Sequence, residues 1–323
     1  MILVTGGAGF IGSHAVVELL DSGYEVVVID SLENGYIEFV DKRAKFYQGN
    51  VRDGELMDKI FSENNITAVM HFAGYIKVGE SVIKPDKYYY NNTYTTLLLL
   101  EYMKRNGVKN IVFSSTAAVY GEVQGDKMVD ETFPTSPINP YGKSKFMAEN
   151  IIQDMAKAYD FNYAIFRYFN VAGAHEKYAI GQKGDGVTAL ISLVLKKVKN
   201  NNYGLEVYGD DYPTVDGTGV RDYIHVVDLV RAHILAIKML EKDKSGIFNL
   251  GNGNGFSVLE IINSAEKVTG KKIEYTVVER RPGDPASVVA SAAKAREVLG
   301  WKPEYTDINR IITSAWNWVS SQN

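Results

Sequence analysis

The sequence predicts an α/β protein built on a doubly wound parallel sheet, with a smaller α/β domain interleaved towards the C-terminus. In the first half of the 323-residue chain, short β-branched segments alternate repeatedly with helical patterns. Such alternation is typical of a parallel sheet that is covered by helices. The strand segments are apolar almost throughout, as expected when both faces of a sheet are buried. Because no repeat or long linker precedes the second half, its domain is expected to interleave with the first.

Each predicted strand is an apolar run such as the EVVVID of residues 25–30, and most of these runs are followed by a stretch of helical periodicity. Strands are predicted at residues 2–5, 25–30, 45–49, 68–71, 110–114, 163–167, 246–250 and 273–278. Helices are predicted at residues 10–21, 54–63, 85–106, 140–159, 187–199, 228–240, 258–268, 293–299 and 308–319. Between 176 and 222 the chain is rich in Gly, Asp, Asn and Tyr, and it is expected to be less regular there.

Composition excludes several classes of protein. Lys and Arg number 35 and Asp and Glu 39, so the net charge of -4 is not that of a strongly basic nucleic-acid binder. The chain has no cysteine, which excludes disulfides and Cys-zinc sites and suits a reducing compartment. Its five histidines form no HExxH pattern, so no metal is expected. The apolar runs are too short for a signal peptide or a membrane span, and a soluble cytoplasmic protein is expected.

The first motif is a glycine turn between the first strand and the first helix. Residues 5–12 read TGGAGFIG, with glycines at Gly6, Gly9 and Gly12. This spacing suits a tight turn, a close approach to a pyrophosphate and a helix N-terminus that favours anions. Asp30 ends the next strand 18 residues after Gly12, where a carboxylate accepts hydrogen bonds from the ribose hydroxyls of adenosine. Since a carboxylate would repel a 2′-phosphate, the motif predicts NAD rather than NADP.

The second motif pairs Tyr141 with Lys145 on one face of a helix that begins near Pro140. This four-residue spacing alone is weak evidence for a functional pair. The stronger evidence is the position of the pair relative to other segments of the chain. The loops after parallel strands gather along one edge of a doubly wound sheet, where ligands bind. The informative segments all fall in such loops: the glycine turn, Asp30, Asn50-Val51, Phe72–Gly74, Thr116 and Phe169-Asn170.

These residues suggest a chemistry for the site. A phenol has a pKa near 10 and is a poor base at neutral pH, but a cation ~4 Å away favours its ionised form. Lys145 provides one such cation, and an oxidised nicotinamide would provide a second. Tyr141 is therefore predicted to take the proton of a substrate hydroxyl while the carbinol hydride passes to NAD. Thr116 is predicted to hydrogen-bond the same substrate oxygen.

Further segments carry a resemblance to a known family. They are residues 72–81, 114–121 (SSTAAVYG), 167–175 (RYFNVAGAH), 216–225 (DGTGVRDYIH) and 280–284 (RRPGD). Together with the two motifs, they resemble the extended short-chain dehydrogenase/reductase family, and within it the epimerases of UDP-hexoses. The resemblance runs from Val4 to Trp301, and residues 216–225 are its most specific part because they lie outside the shared cofactor core.

The resemblance implies a Rossmann sheet with an NAD that stays bound between turnovers, and interconversion of UDP-glucose and UDP-galactose through a 4-keto sugar. The implied catalytic residues are Thr116, Tyr141 and Lys145. The implied cofactor residues are Gly6, Gly9, Phe10, Ile11, Gly12, Asp30, Asn34, Asn50, Val51, Phe72, Ala73, Gly74, Asn92, Ser114, Tyr141, Lys145 and Tyr168. The implied substrate residues are Thr116, Tyr141, Asn170, Tyr208, Arg221, Arg281, Asp284 and Val288, with the arginines on the diphosphate and Asp284 on a ribose.

The resemblance also implies how the chain is organised. The NAD-binding domain would comprise residues 1–175 and about 223–255, and the nucleotide-sugar domain about 176–222 and 256–323. Two copies would pair through the helices at 85–106 and 140–159 to form a homodimer. Val288 stands where a bulky aromatic residue would narrow the pocket beside the C2 substituent, so UDP-N-acetylhexosamines are also expected as substrates.

The chain departs from the family pattern in three places, and it leaves some alternatives open. Asn50 replaces an Asp, Ile76 replaces a Lys that here comes one place later, and residues 187–192 lack the Asn and Pro of some members. A 4,6-dehydratase would need an acid and a base where Ala117-Ala118 stand. A non-catalytic regulator would be expected to have lost Tyr141 or Lys145. A simple dehydrogenase would be distinguished by its release of NADH. The main alternative to a UDP-hexose epimerase is another nucleotide-sugar enzyme of the same family.

Overall fold

The structure is a computed structural model that describes residues 1–123, 128–184, 189–202, 204–281 and 284–322. Its strands are β1 (Ile2–Thr5), β2 (Val26–Asp30), β3 (Lys45–Gln48), β4 (Ala68–His71), β5 (Asn110–Thr116), β6 (Asn162–Tyr168), β7 (Asn170–Ala172), β8 (Leu205–Tyr208), β9 (Val220–His225), β10 (Gly246–Leu250), β11 (Gly255–Ser257), β12 (Tyr275–Val278) and β13 (Ser287–Val288).

Helices surround these strands. They are α1 (Phe10–Asp21), α2 (Gly54–Glu63), α3 (Val78–Ile83), α4 (Pro85–Tyr88), α5 (Thr95–Arg105), α6 (Pro140–Tyr159), α7 (Leu190–Lys199), α8 (Val226–Leu240), α9 (Val258–Thr269), α10 (Ala293–Leu299) and α11 (Ile308–Ser321). A π-helical segment at Tyr89–Tyr94 joins α4 to α5, and 3₁₀ turns lie at Ile37–Phe39 and Ala117–Val119. Within the described ranges, no helix is long and apolar enough to cross a membrane.

Seven parallel strands form the central sheet, in the order β10-β6-β5-β4-β1-β2-β3. The chain starts in the middle of the sheet at β1, winds outwards to β3, and then returns to the other side of β1 through β4. This is the doubly wound order that the sequence predicts. It brings the loops after β2 and β4 to either side of the loop after β1, which is where such sheets bind ligands.

Both faces of the central sheet are buried, because alternate residues of each strand point to opposite sides. On one face Ile2 and Val4 pack with α1, α8 and α10, and on the other Leu3 packs with α2, α5 and α6. Every residue of β1, β2 and β4 is buried. Because both faces of these strands are covered, their sequences are continuous apolar runs and do not alternate between apolar and polar residues.

The second half of the chain builds two smaller sheets before and after it returns to the central one. β9 pairs with β7, β11 and β13, and β8 pairs with β12. A separate core forms around α7, α9 and α11. The chain leaves the central sheet after β6 and rejoins it through α8 and β10. The domain boundaries given above stay a prediction.

Most predicted elements are confirmed, and the differences have physical causes. The predicted helix at 187–199 begins at Leu190, and residues 187–188 lie outside the described part of the chain. The strand predicted at 273–278 begins at Tyr275. The strands β7, β11 and β13 are three residues or fewer, too short for periodicity to reveal. The helix predicted at 85–106 is divided by the π-helical segment, which inserts an extra residue into a helical turn.

Candidate active site

The glycine turn is shaped by close backbone contacts that exclude side chains. Gly6 has a φ of +72°, and a Cβ there would lie 2.7 Å from the amide nitrogen of Ala73. A Cβ on Gly12 would lie 2.1 Å from the carbonyl oxygen of Gly6. Gly9 caps α1 without a side chain, and the first turn of α1 has no acidic residue. Phe10 and Ile11 are half-buried in this turn. The N-terminus of α1 therefore forms an open, anion-favouring cradle that fits the pyrophosphate of a dinucleotide.

Asp30 does more than the sequence suggests, because it also holds the neighbouring backbone in place. Its Oδ2 accepts from the amide of Ala8 at 2.9 Å, and its Oδ1 accepts from the amide of Leu32 at 2.8 Å. The buried carboxylate thereby ties the glycine turn to the loop after β2, in which Asn34 is exposed. Each carboxylate oxygen retains a second lone pair, so the predicted ribose contact remains compatible with this geometry.

The other predicted cofactor residues lie in the loops after β3 and β4. Asn50 Oδ1 accepts from the amide of Arg52 at 3.0 Å, and Val51 is buried. Phe72 packs against His233 with ring centroids 5.1 Å apart, and the Ala73 amide donates to the carbonyl of Thr5. The Ala73 contact places the loop after β4 beside the glycine turn, and the parallel pairing of β3 with β2 brings the loop after β3 to the same end of the sheet.

Asn92 is predicted to contact the cofactor, and the structure shows that it anchors a loop. Its Oδ1 accepts from the amide of Tyr75 at 2.9 Å, and its Nδ2 donates to the carbonyl of Tyr75 and to Ser144 Oγ, each at 3.0 Å. The π-helical segment that carries Asn92 therefore connects the loop after β4 to α6. A Cβ on Gly74 would lie 3.2 Å from Asn92 Oδ1 and 3.1 Å from Lys145 Nζ, so this loop passes directly over the lysine.

The structure brings Thr116, Tyr141 and Lys145 together at the end of β5. Helix α6 begins at Pro140, and the Asn139 side chain caps it by accepting from the amide of Gly142 at 2.9 Å. Tyr141 and Lys145 are both buried on the face of α6 that meets β5. Lys145 Nζ donates to the carbonyl of Ser114 at 2.9 Å. The Thr116 side chain is hydrogen-bonded to that of Tyr141.

Burial shifts the pKa values of two members of this group, Tyr141 and Lys145. Burial raises the pKa of Tyr141 above its ordinary value, and the hydrogen bond with Thr116 acts in the opposite direction. Burial also lowers the pKa of Lys145 to about 8, although the nearby carboxylate of Glu149 acts to raise it. The prediction that Lys145 and an oxidised nicotinamide together favour the ionised phenol stays a prediction, and the burial of both side chains acts against it. The cause is that desolvation penalises the charged forms of both groups.

Tyr168 borders the same space from β6, next to Thr116 in the sheet register. Its hydroxyl is hydrogen-bonded to Nε2 of His233, a residue that sequence reasoning missed. Burial raises the pKa of Tyr168, and a hydrogen bond with the Ser114 side chain opposes this rise. Ser114 thus contacts both Lys145 and Tyr168, which places it between the two.

The predicted substrate residues form a connected cluster at the second sheet. Arg221 Nη2 lies 3.2 Å from Asp284 Oδ1, and the guanidinium of Arg281 lies 3.8 Å from the ring centroid of Tyr208. The amide of Asp284 donates to the carbonyl of Arg281 at 3.1 Å. Two arginines therefore lie close together and exposed enough to meet an anion. The adjoining residues 282–283 lie outside the described part of the chain.

Asn170 and Val288 connect this cluster to the catalytic group. Asn170 Nδ2 donates to the carbonyl of Asp222, the neighbour of Arg221, at 2.9 Å. Val288 is half-buried and packs, as Ala117 and Phe169 do, against a buried apolar cluster that includes Val119 and Tyr120. Since the turn Ala117–Val119 follows Thr116 directly, this apolar cluster lies next to the end of β5.

The structure contains a buried ion pair beneath the catalytic group that was not predicted from the sequence. Glu149 lies one turn after Lys145 on α6, is fully buried, and pairs with Arg167 at 2.7 Å. Ser115 also donates to Glu149. The helical spacing from Lys145 is the one sequence signal that could have indicated Glu149, since a carboxylate is rarely buried without a partner.

Comparisons with known proteins agree with this geometry. Residues 2–251 match the model of the NAD dependent epimerase/dehydratase family. A UDP-glucose 4-epimerase from Lacticaseibacillus casei is 50% identical over 318 residues, which are 98% of this chain and 96% of that protein. A crystal structure of a UDP-glucose 4-epimerase has a TM-score of 0.97 and 48% identity, covering 99% and 98% of the two chains. A Bifidobacterium longum UDP-glucose 4-epimerase in complex with NAD⁺ and UDP has a TM-score of 0.90 and 46% identity, covering 98% and 97%.

The dinucleotide cradle and the Tyr–Lys–Thr group define a class of NAD-dependent enzymes on a doubly wound sheet, and the chain belongs to the NAD-dependent epimerase/dehydratase family. Within that family it belongs with the UDP-glucose 4-epimerases. Its cofactor is NAD, and its reaction is an isomerisation, the interconversion of UDP-glucose and UDP-galactose.

Proposed function

We propose that Tyr141, Lys145 and Thr116 carry out the C4 epimerisation of UDP-hexoses in this protein. The observation that carries the proposal is the buried group at the end of β5, where Thr116 bonds to Tyr141 and Lys145 bonds to the Ser114 carbonyl. The group lies beside the loop at Gly74, which also contacts the glycine turn. A hydroxyl-binding site and a dinucleotide cradle therefore meet at one edge of the sheet.

Each residue has a distinct task in this proposal. NAD, when bound, supplies the hydride acceptor and donor for C4 of the sugar. Tyr141 removes the proton from the C4 hydroxyl and later returns it, and Thr116 hydrogen-bonds the same oxygen. Lys145 orients the site through its bond to Ser114 and supplies positive charge beside the phenol. Exclusion of water by the buried surroundings strengthens these electrostatic contacts.

The substrate residues are assigned by chemistry and position. Arg221 and Arg281 would hold the diphosphate, because a guanidinium matches phosphate oxygens in a forked arrangement. Asp284 would accept from a ribose hydroxyl once its contact with Arg221 is rearranged. Tyr208 would stack near the nucleotide through its contact with Arg281. Asn170 would contact the sugar from the start of β7.

The test uses purified protein and UDP-galactose without added NAD. We expect UDP-glucose to form, because the cofactor stays bound through purification, and NAD to appear in the supernatant after the protein is denatured. A protein that carries no dinucleotide and acts only after NADP is added would contradict the assignment of Asp30.

We also propose that the sugar pocket accepts UDP-N-acetylhexosamines. The supporting observation is that Val288 packs against the apolar cluster of Val119 and Tyr120, which adjoins the end of β5. Valine is smaller than the aromatic residue that would narrow the pocket there, and the difference is about the size of an acetamido group. The measurement is kcat/KM for UDP-galactose and UDP-N-acetylgalactosamine in the wild type and in Val288→Tyr. Exclusion of the acetylated sugar by ~1000-fold in the wild type, or an unchanged ratio in the variant, would contradict the proposal.

We further propose a homodimer that forms through α5 and α6. An apolar depression lies between the π-helical segment, α5 and α6, and it is lined by Tyr89, Thr93, Tyr94, Leu97, Met147 and Ile151. Tyr94 is 42% and Met147 is 46% exposed, which makes this surface suited to cover by a second copy. Light scattering should show a dimer, and Met147→Glu should give monomers. Val82→Glu, which places the same charge on the equally apolar surface of α3, is the matched control. A monomeric wild type at micromolar concentration would contradict the proposal.

For location, we propose the cytoplasm, the reducing compartment that a chain without cysteine suits. Cell fractionation with an antibody against the protein tests this, and recovery outside the cytoplasmic fraction would contradict it.

A further inference from the structure

The loops after β2 and β4 are joined by a side-chain hydrogen bond. The Tyr75 hydroxyl donates to Glu33 Oε2 at 2.6 Å. Because β1 lies between β2 and β4 in the sheet, a link between these two loops passes across the end of β1. That end carries Gly6 and the N-terminus of α1, where the pyrophosphate of a dinucleotide is expected. The Tyr75–Glu33 bond therefore spans the opening of the dinucleotide cleft.

The Tyr75 end of this bond is fixed on the protein. Asn92 holds the Tyr75 backbone through both its amide and its carbonyl. The ring lies 5.8 Å from the Tyr88 ring, and Lys87 Nζ lies 4.1 Å from its centroid. Burial and the carboxylate of Glu33 raise the pKa of Tyr75 to about 12, so the hydroxyl keeps its proton at neutral pH and remains a donor.

The loop that carries Glu33 is fixed on both sides of that residue. Before it, the amide of Leu32 donates to Asp30, and Leu32 takes a φ of +60°. After it, the amide of Tyr36 donates to the carbonyl of Ala8 in the glycine turn at 3.0 Å. Since both ends are anchored, opening the cleft at this point requires the hydrogen bond itself to break.

We propose that Tyr75 and Glu33 form a clasp across the dinucleotide cleft that slows the release of bound NAD. The proposal rests on the cofactor site proposed above and adds two residues to it. A hydrogen bond from a neutral donor to a charged acceptor is one of the stronger kinds, so its loss is expected to be measurable even near the surface. Neither residue belongs to the proposed catalytic group, so the quantity that reports on the clasp is the rate of NAD release rather than turnover.

The test compares rates of NAD release from the purified holoenzyme. The protein is diluted with an NAD glycohydrolase that destroys free cofactor, and the retained NAD is measured after rapid gel filtration. Tyr75→Phe removes the hydroxyl and keeps the ring. Tyr47→Phe is the matched control, because its hydroxyl donates to Glu63 Oε2 at 2.7 Å between β3 and α2, away from the cleft opening. We expect release ~5-fold faster in Tyr75→Phe and unchanged in Tyr47→Phe.

A second variant tests whether the two residues act as a pair. Glu33→Ala should accelerate release as Tyr75→Phe does, and the double variant should be no faster than either single one. Release in Tyr75→Phe within about two-fold of the wild type, an equal effect in Tyr47→Phe, or additive effects in the double variant would each overturn the clasp. A wild type that retains no NAD would instead overturn the proposed cofactor site, so the two failures are distinguishable.

Discussion

Tyr141 and Tyr168 are two buried phenols beside the same space, and their partners give them different chemistry. Burial lowers the pKa of His233 to about 4, so its imidazole is neutral at physiological pH. His233 Nδ1 donates to the carbonyl of Leu229 at 2.9 Å, which leaves Nε2 to accept from Tyr168. Tyr168 is therefore held as a donor, whereas Tyr141 faces Thr116. This difference supports the proposal that Tyr141, rather than Tyr168, exchanges a proton with the substrate.

This difference predicts the effects of two conservative substitutions. Tyr141→Phe should keep the fold and the bound NAD but reduce kcat by ~100-fold or more, because the base is lost while its packing is conserved. Tyr168→Phe should reduce kcat by less than ~10-fold, since it removes a hydrogen bond and no base. Steady-state kinetics with UDP-galactose and the cofactor content of each variant measure this. Near-normal epimerisation in Tyr141→Phe would show that another group is the base.

Among the elements, α6 is one that can be predicted from its local sequence. Pro140 and the helical pattern after it predict a helix from about residue 140 to about residue 159, which the structure confirms. The π-helical segment at Tyr89–Tyr94 was not predicted, because the extra residue is held by contacts to α6 and to the loop after β4 rather than by its own sequence. The strand β9 was missed for a similar reason, since its partners β7, β11 and β13 are distant in the chain.

Because α6 carries both Tyr141 and Lys145 in its first turns, its cap should affect catalysis as well as stability. Asn139→Ala removes the cap and is expected to cost about 1 kcal/mol of unfolding free energy. It should also lower kcat by ~10-fold, because the first turn frays where Tyr141 lies. Asp53→Ala is the control, since Asp53 caps α2 in the same way by accepting from Leu56 at 3.1 Å. Equal loss of stability without loss of kcat in both variants would contradict the prediction.

Across the whole molecule, one buried polar row connects strands that the sequence keeps far apart. Ser115, Arg167 and Asn249 are neighbours in the register of β5, β6 and β10. Arg167 donates to Glu149 and to Tyr120 at 3.1 Å, and Tyr120 in turn donates to Asn249 at 2.7 Å. The glycine turn and the catalytic group can be predicted from local motifs. The buried polar row cannot be predicted in this way, because each of its side chains is paired with a residue 18 or more positions away in the chain.

The buried histidines make the stability of the whole fold depend on pH. Burial lowers the pKa of His14 and His71 to about 3 and that of His233 to about 4, and it lowers that of His225 well below its ordinary value. Once unfolded, these imidazoles bind protons near pH 6.5. Between pH 6.5 and about 4 the unfolded chain therefore binds more protons than the folded one, so stability falls as the pH falls. Burial raises the pKa of Asp222 to about 6, which acts in the opposite direction between pH 4 and 6.

Four histidines act against two carboxyl groups, because burial raises the pKa of Asp228 as well as that of Asp222, so the histidines should dominate the acid response. Each contributes at most about 1.4 kcal/mol per pH unit, and a domain has only about 5–15 kcal/mol of stability in total. We therefore expect the urea midpoint to change little between pH 7.5 and 6.5 and to fall steeply below pH 6. Urea unfolding of the holoenzyme, followed by circular dichroism at half-unit intervals of pH, measures this. A midpoint that is constant from pH 7.5 to 5 would mean that the buried imidazoles become protonated in the folded state, against the desolvation that their burial imposes.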